Sequence, residues 1–243
     1  SETQAAYRFL IQATHPKRPL GWEQVLTPHI ERTEERMRQH KVALCLQDTT
    51  ETDFNGQAIE GLGPLSYEAQ RGMYVHPTYV VTPDREPLGI FDAWMWAREP
   101  KAADGTRPGP CESERWIEGY ARVAEAAARM PTTRLVYVGD READIVALMR
   151  LARDMNYPAD YLVRSQHNRA LPGGGKLWER ATADAALGEI EFALPARPGQ
   201  SARTVRQSIW ACVATLSDGA GGTVQATCVV ARESHPPQGV KPV

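Results

Sequence analysis

Apolar positions along this chain follow two periods, and the switches between them mark its elements. Lys41-Val42-Ala43-Leu44-Cys45-Leu46-Gln47 is a short continuous apolar run of strand length. Such a run suggests burial on both faces, in the middle of a mixed or parallel sheet. It ends in Asp48-Thr49-Thr50, and Gly56, Gly61 and Gly63 predict a loop-rich connection after it. Met73 to Val81 alternates, with Tyr74, His76, Thr78 and Val80 set against Val75, Tyr79 and Val81. Leu88 to Ala97 carries Ile90, Phe91, Trp94 and Trp96, and the Pro83–Pro87 turn makes the pair an antiparallel hairpin. Beyond the Pro/Gly-rich stretch Glu99–Pro110 the period lengthens. Trp116, Ile117, Tyr120, Val123, Ala124 and Ala127 form one helical stripe, with Ser113 able to cap it and Pro131 to stop it. Leu135-Val136-Tyr137-Val138-Gly139-Asp140 is a second buried strand that hands over at once to a helix bearing Ile145, Leu148, Met149, Ala152 and Met155. Ala159–Arg164 gives a further strand.

The flanks read differently. Ser1 and Gln4 have capping-box spacing ahead of Ala6, Tyr7, Phe9 and Leu10. Thr27-Pro28 reads as a cap opening a charged helix to about Gln39, anchored by Ile30 and Met37. After Arg164 come a polar, basic segment (Ser165–Arg169) and a flexible loop (Leu171–Gly175). Three β-like pieces follow, Glu189–Leu194, Thr204–Leu216 and Thr223–Ala231, which predict an antiparallel subdomain too short for a large core of its own. The expected divisions are a helical lead-in over 1–40, a core over 41–166 and an inserted β-rich subdomain over 167–243. Strand, hairpin, helix, strand, helix, strand is the order of an RNase H-like mixed sheet with flanking helices. The expected class is therefore α/β, RNase H-like, with an inserted antiparallel β-subdomain.

Composition narrows the function classes only a little. Across 243 residues, 42% hydrophobic and 24% charged content are those of an ordinary globular protein, not a disordered or membrane chain. No apolar run is long enough to span a bilayer and no signal-peptide pattern opens the chain, so no membrane partner and a cytoplasmic location are expected. Cys45, Cys111, Cys212 and Cys228 lack any C-x-x-C pairing, which fits a reduced compartment without a zinc ribbon. A net charge of −2 does not advertise nucleic-acid binding, yet arginines gathered on one face would permit it. The opening Ser1-Glu2-Thr3-Gln4, without an initiating Met, and the closing Gly239–Val243 suggest a piece of a longer chain.

Candidate chemistry rests on Asp48 and Asp140, each at the end of a buried strand. Carboxyl ends of strands are where ligands collect in open α/β sheets. Asp140 is equally suited to capping the helix after it, and Asp48 to forming a turn. In an RNase H-like sheet their two strands lie side by side and parallel, so the carboxylates meet at one edge. Carboxylates so placed repel and raise a pKa unless a cation lies between them, and hard oxygen ligands suit Mg²⁺ or Mn²⁺. His76, inside a strand with no second ligand-type residue at matching spacing, reads as a packed structural histidine.

Gln47-Asp48-Thr49-Thr50 and Val138-Gly139-Asp140-Arg141-Glu142-Ala143-Asp144-Ile145 together resemble the bacterial cut-and-paste DDE transposases. The likeness is greatest to the insertion-sequence group with a Tyr-x2-Arg-x3-Glu-x6-Lys motif. Gln4–Phe9, Arg71–His76, Val163-Arg164-Ser165 and Pro236–Gly239 are similar too, so the resemblance is collinear over nearly the whole chain. It implies metal-dependent hydrolysis and strand transfer at transposon ends, with Asp48 and Asp140 as the first two acidic residues of the triad and as ligands of Mg²⁺ or Mn²⁺. It implies double-stranded DNA as partner (terminal inverted repeats and target), a homodimer in the full-length parent, and association with the nucleoid when DNA-bound. Arg164, His167 and Arg169 fall where the family places basic residues near transposon-end DNA. The third motif departs from the pattern: Tyr161 and Arg164 keep its first spacing, but position 168 is Asn. A catalytic-core fragment with two of three acidic ligands, and little activity, is the expectation. Two rivals stand beside it. One is a HAD-type Mg²⁺-dependent phosphohydrolase, whose Gly-Asp-x-x-x-Asp motif fits Gly139–Asp144 but whose second Asp is replaced by Thr50. The other is an inactive truncated transposase acting as a DNA-binding or inhibitory partner.

Overall fold

The computed structural model describes residues 2–11, 17, 20–109 and 111–243, the Leu10 side chain excepted. The chain divides into two compact units, Ser1–Asp144 with Asp154–Arg164, and Ile145–Arg153 with Ser165–Val243. The fold is mixed α/β: a seven-stranded mixed sheet with helices, and a separate three-stranded antiparallel sheet.

The larger unit begins with α1 (Glu2–Ile11) and α2 (Trp22–Met37). The proposed cap at Ser1 lies outside the described residues. Thr27-Pro28 does not open α2; Gly21 is its N-cap, and Pro28 sits inside it. Pro28 has no N–H to offer the Gln24 carbonyl one turn back. The helix is held instead by tertiary bonds. Arg36 Nε donates to the Leu88 carbonyl at 2.5 Å, and His29 Nε2 accepts the Ile90 N–H at 2.9 Å.

At the centre of the sheet is β1 (Val42–Gln47), followed by β2 (Thr50–Asp53), β3 (Gly63–Pro64), β4 (Arg71–Val81) and β5 (Pro87–Trp96). β4 and β5 form the expected antiparallel hairpin, and β4 pairs antiparallel with β1. β1 is not buried on both faces: Ala43, Cys45 and Gln47 are buried while Val42, Leu44 and Leu46 are partly covered. β2 occupies part of the predicted loop. It continues the register of β1 against β4, so the two are one strand interrupted at Asp48-Thr49. In that register Asp48 faces Pro77, which cannot donate to a ladder, and Thr49 faces His76.

α3 (Glu112–Arg129) covers the sheet with the expected stripe, and Trp116, Tyr120, Val123 and Ala124 are all buried. Its N-cap is Cys111, not Ser113, which lies within the first turn. β6 (Arg134–Gly139) then pairs parallel with β1, and β7 (Asp160–Val163) parallel with β6. The side-by-side, parallel placement expected of the strands preceding Asp48 and Asp140 is present. The helix does not start at once after Asp140: a 3-10 turn, Arg141–Ala143, precedes α4 (Val146–Asp154).

In the smaller unit, α5 (Leu177–Ala181) follows the Leu171–Gly175 loop, its Trp178 N–H bound to Asn168 Oδ1 at 2.9 Å. β8 (Gly188–Leu194), β9 (Arg203–Ser217) and β10 (Thr223–Glu233) form the expected antiparallel sheet in the order β10-β9-β8. Val205, Ala214, Leu216 and Val224 are its buried apolar positions. Arg153 ties α4 to the β9–β10 turn through Asp218 Oδ2 at 3.1 Å and the Thr223 carbonyl at 2.7 Å. Among the described residues no helix is long and apolar enough to cross a membrane.

Candidate functional site

The parallel pairing of β1 with β6 sets Gln47 opposite Gly139, so Asp48 and Asp140 are the next residues at neighbouring strand ends. Arg164 joins the same edge, since its N–H donates to the Gly139 carbonyl at 3.2 Å just past the end of β7. Gly139 is needed for this geometry. A Cβ there would stand 2.4 Å from the Ala143 Cβ and 3.3 Å from the Trp116 ring, so only glycine lets the 3-10 turn close over the strand end.

Each aspartate uses one carboxylate oxygen locally. Asp140 Oδ1 accepts the Glu142 N–H at 2.7 Å, capping the 3-10 turn, and Asp48 Oδ1 accepts the Thr49 N–H at 2.8 Å. Both residues are exposed, and neither Oδ2 has a hydrogen bond to the described residues. Capping and a second role are thus compatible at Asp140.

The floor beneath Asp48 is rigid. Buried Gln47 donates from Nε2 to Thr78 Oγ1 at 3.3 Å and accepts the Tyr137 hydroxyl at 2.6 Å. Burial raises the Tyr137 phenol pKa, keeping it a neutral donor. Helix α3 reaches this network only because position 119 is glycine; a Cβ would lie 2.1 Å from Gln47 Nε2. His76 completes the floor, its Nδ1 2.8 Å from Thr49 Oγ1 and its ring edge-on to Trp116 with centroids 4.7 Å apart. Burial, helped by the charge of Arg115, lowers its pKa to about 4, and this is a structural, neutral histidine.

Beside the edge lies a cleft of about 270 Å³ with Thr49 and Glu142 among its lining. The crowding of carboxylates is felt at Glu142, whose pKa is raised by burial first, then by Asp140, Asp48 and Glu112. The wall is a run of stacked groups. Arg98 lies 4.1 Å over the Tyr74 ring, Tyr74 stacks on Trp96 with centroids 5.2 Å apart, and Arg115 lies 3.5 Å from the Trp96 ring. Arg98 also pairs with both oxygens of Glu112. Glu51 accepts the Ser66 N–H and the Tyr74 hydroxyl, both at 2.9 Å, and the Ser66 bonds lower its pKa most.

The described residues contain no set of three His, Cys, Asp or Glu side chains disposed to hold a metal ion. The free Oδ2 atoms of Asp48 and Asp140 nonetheless match the habit of Mg²⁺, which takes one or two carboxylates and keeps several waters. His167 and Arg169 belong to the smaller unit, on the segment leading to α5; the Arg169 carbonyl accepts the Leu177 N–H at 2.9 Å. Sequence reading overlooked Glu142, Arg98 and Arg115. Glu142 was open to notice, two residues past Asp140, whereas Arg98 lies beyond the end of β5 and nothing in the period of α3 singles out Arg115. Comparison with models of known protein families and with curated proteins gives no match for this chain.

Proposed function

We propose that this chain carries part of the catalytic core of a DDE-type DNA transposase, with Asp48 and Asp140 as two of its three acidic residues and Mg²⁺ or Mn²⁺ as its cofactor. One observation carries this reading: the two aspartates end adjacent, parallel strands at the centre of a mixed sheet, each with an oxygen left over for a ligand. The strand order β5-β4-β1-β6-β7, antiparallel in its first half and parallel in its second, supports an RNase H-like sheet. Bound at this edge, divalent ions would supply activation of a water or 3′-hydroxyl and stabilisation of the leaving oxygen in an in-line displacement at phosphorus.

The chain's own residues do the positioning. The 3-10 turn fixes Asp140, the Gln47 network fixes the end of β1, and Arg164 brings an exposed cation to the same edge for a DNA phosphate. His167 and Arg169 are the other proposed contacts to transposon-end DNA. Asn168, where the third motif would have Glu, is used structurally: it binds the Trp178 N–H and lies 3.2 Å from Glu179 Oε1. These 243 residues should accordingly bind metal and DNA but cut poorly. A phosphohydrolase would want an acid where Thr50 stands, and Thr50 is the first residue of β2, paired with Val75.

The test is binding of hairpin DNA with and without Mg²⁺. Mg²⁺-dependent binding that fails in Asp140→Asn supports the transposase reading. Turnover of a generic aryl phosphate with Mg²⁺, without DNA binding, would replace it by the phosphohydrolase.

A further inference from the structure

Two clefts of the larger unit adjoin along a shared wall of Trp96, Arg98, Glu112 and Arg115. One is the cleft beside Thr49 and Glu142, and the second, of about 550 Å³, extends to Arg107 and Cys111. Arg115 is 8% exposed, its Nε is buried without a hydrogen-bond partner, and it forms no ion pair with the described residues. Its support is the face of Trp96, 3.5 Å away.

A cation drawn out of water calls for a counter-charge, yet three carboxylates near Arg115 are engaged elsewhere. Glu112 is held by Arg98, Glu68 by Arg107 at 2.7 Å, and Glu51 by Ser66 and Tyr74. The same wall holds the start of α3, an 18-residue helix whose N-cap, Cys111, has its Sγ 3.0 Å from Ser113 Oγ but makes no side-chain capping bond. The first amide groups of such a helix and an uncommitted guanidinium both favour an anion.

We infer that this junction is a phosphate subsite, in which Arg115 takes a backbone phosphate of the DNA strand next to the one presented to Asp48 and Asp140. This rests on the DNA function proposed above. The guanidinium fork suits two oxygens of one phosphate, which an ammonium at the same place would meet less well. Glu142 keeps the end nearest the sheet edge acidic, so the anion belongs at the Arg115 end.

The test uses the whole chain, with Arg115→Gln and Arg115→Lys, and thermal melting to check folding. End-labelled hairpin DNA is followed by anisotropy over a series of salt concentrations, and inorganic phosphate by tryptophan fluorescence, since Trp96 lies against Arg115. Arg115→Gln should weaken DNA binding about tenfold and reduce the salt slope by about one. Arg115→Lys should weaken it about threefold, and is the deciding variant if Arg115→Gln fails to fold. Unchanged DNA affinity and slope would overturn the subsite and leave the DNA function standing. Arg115-dependent phosphate binding without any DNA binding would keep the subsite and remove the DNA function. Loss of both in the wild-type chain would remove both.

Discussion

His76 faces Thr49 across the sheet, one residue from Asp48, and its depressed pKa has a consequence for acid stability. The unfolded chain binds a proton here near pH 6.5 and the folded chain only near pH 4. Between these values the unfolded state holds more protons, so stability rises with pH through the window and is lost as pH falls toward 4. The loss is up to about 3 kcal/mol. Denaturant titrations at pH 7 and pH 4.5 should show a smaller difference for His76→Phe than for the wild type; an unchanged difference would acquit His76. The cysteines give a second test. Burial pushes the Cys45 thiol up to about 12, whereas hydrogen bonding to Ser113 pulls the exposed Cys111 thiol down. Under native conditions a thiol reagent followed by peptide mass analysis should label Cys111 before Cys45, and Cys45 only on unfolding.

Helix α3 and the ends of β1 and β6 approach so closely that two glycines set their spacing. Gly119→Ala would drive a methyl group into Gln47 and disturb the Tyr137–Gln47–Thr78 network. Overpacking of this kind costs about 1–3 kcal/mol, to be read from the denaturation midpoint. Gly139→Ala should cost a similar amount and also weaken divalent-metal binding, because the 3-10 turn fixing Asp140 must shift. Wild-type metal affinity in a destabilised Gly139→Ala protein would separate the turn from the site. These close approaches explain which elements were legible in the sequence. β1, the β4–β5 hairpin, α3, β6 and β8–β10 declare themselves through their own period and boundary residues. The polar Thr50–Asp53 does not, because β2 exists only as an extension of β1's register on β4. Pro28 misled for the same reason: bonds from His29 and Arg36 to β5 hold a helix that local rules would begin later. Of the site, the two strand-end aspartates were legible. Glu142 and Arg115 gain their surroundings only when the 3-10 turn and α3 close over the sheet.

At the scale of the molecule, two compact units divide the chain, and the division passes through α4. The smaller unit carries its own charged anchor. Glu233 pairs with both terminal nitrogens, Nη1 and Nη2, of Arg203, and the backbone and side chain of Glu233 also bond the backbone of Val243. Glu233→Gln should speed amide hydrogen exchange along β8, β9 and β10 while β1 and β6 keep their protection; equal acceleration everywhere would mean the units open together. The central claim concerns the larger unit: Asp48 and Asp140 act as one metal site at the edge shared by β1 and β6. Asparagine at either place can still accept the local N–H bond, so Asp48→Asn and Asp140→Asn test ligation apart from folding. The most direct measurement is Mn²⁺ titration by calorimetry of the wild type, both single variants and the double. Each single variant should abolish most of the binding, with the double no worse than either. Two independent, additive losses, or Mn²⁺ affinity untouched by both substitutions, would contradict it.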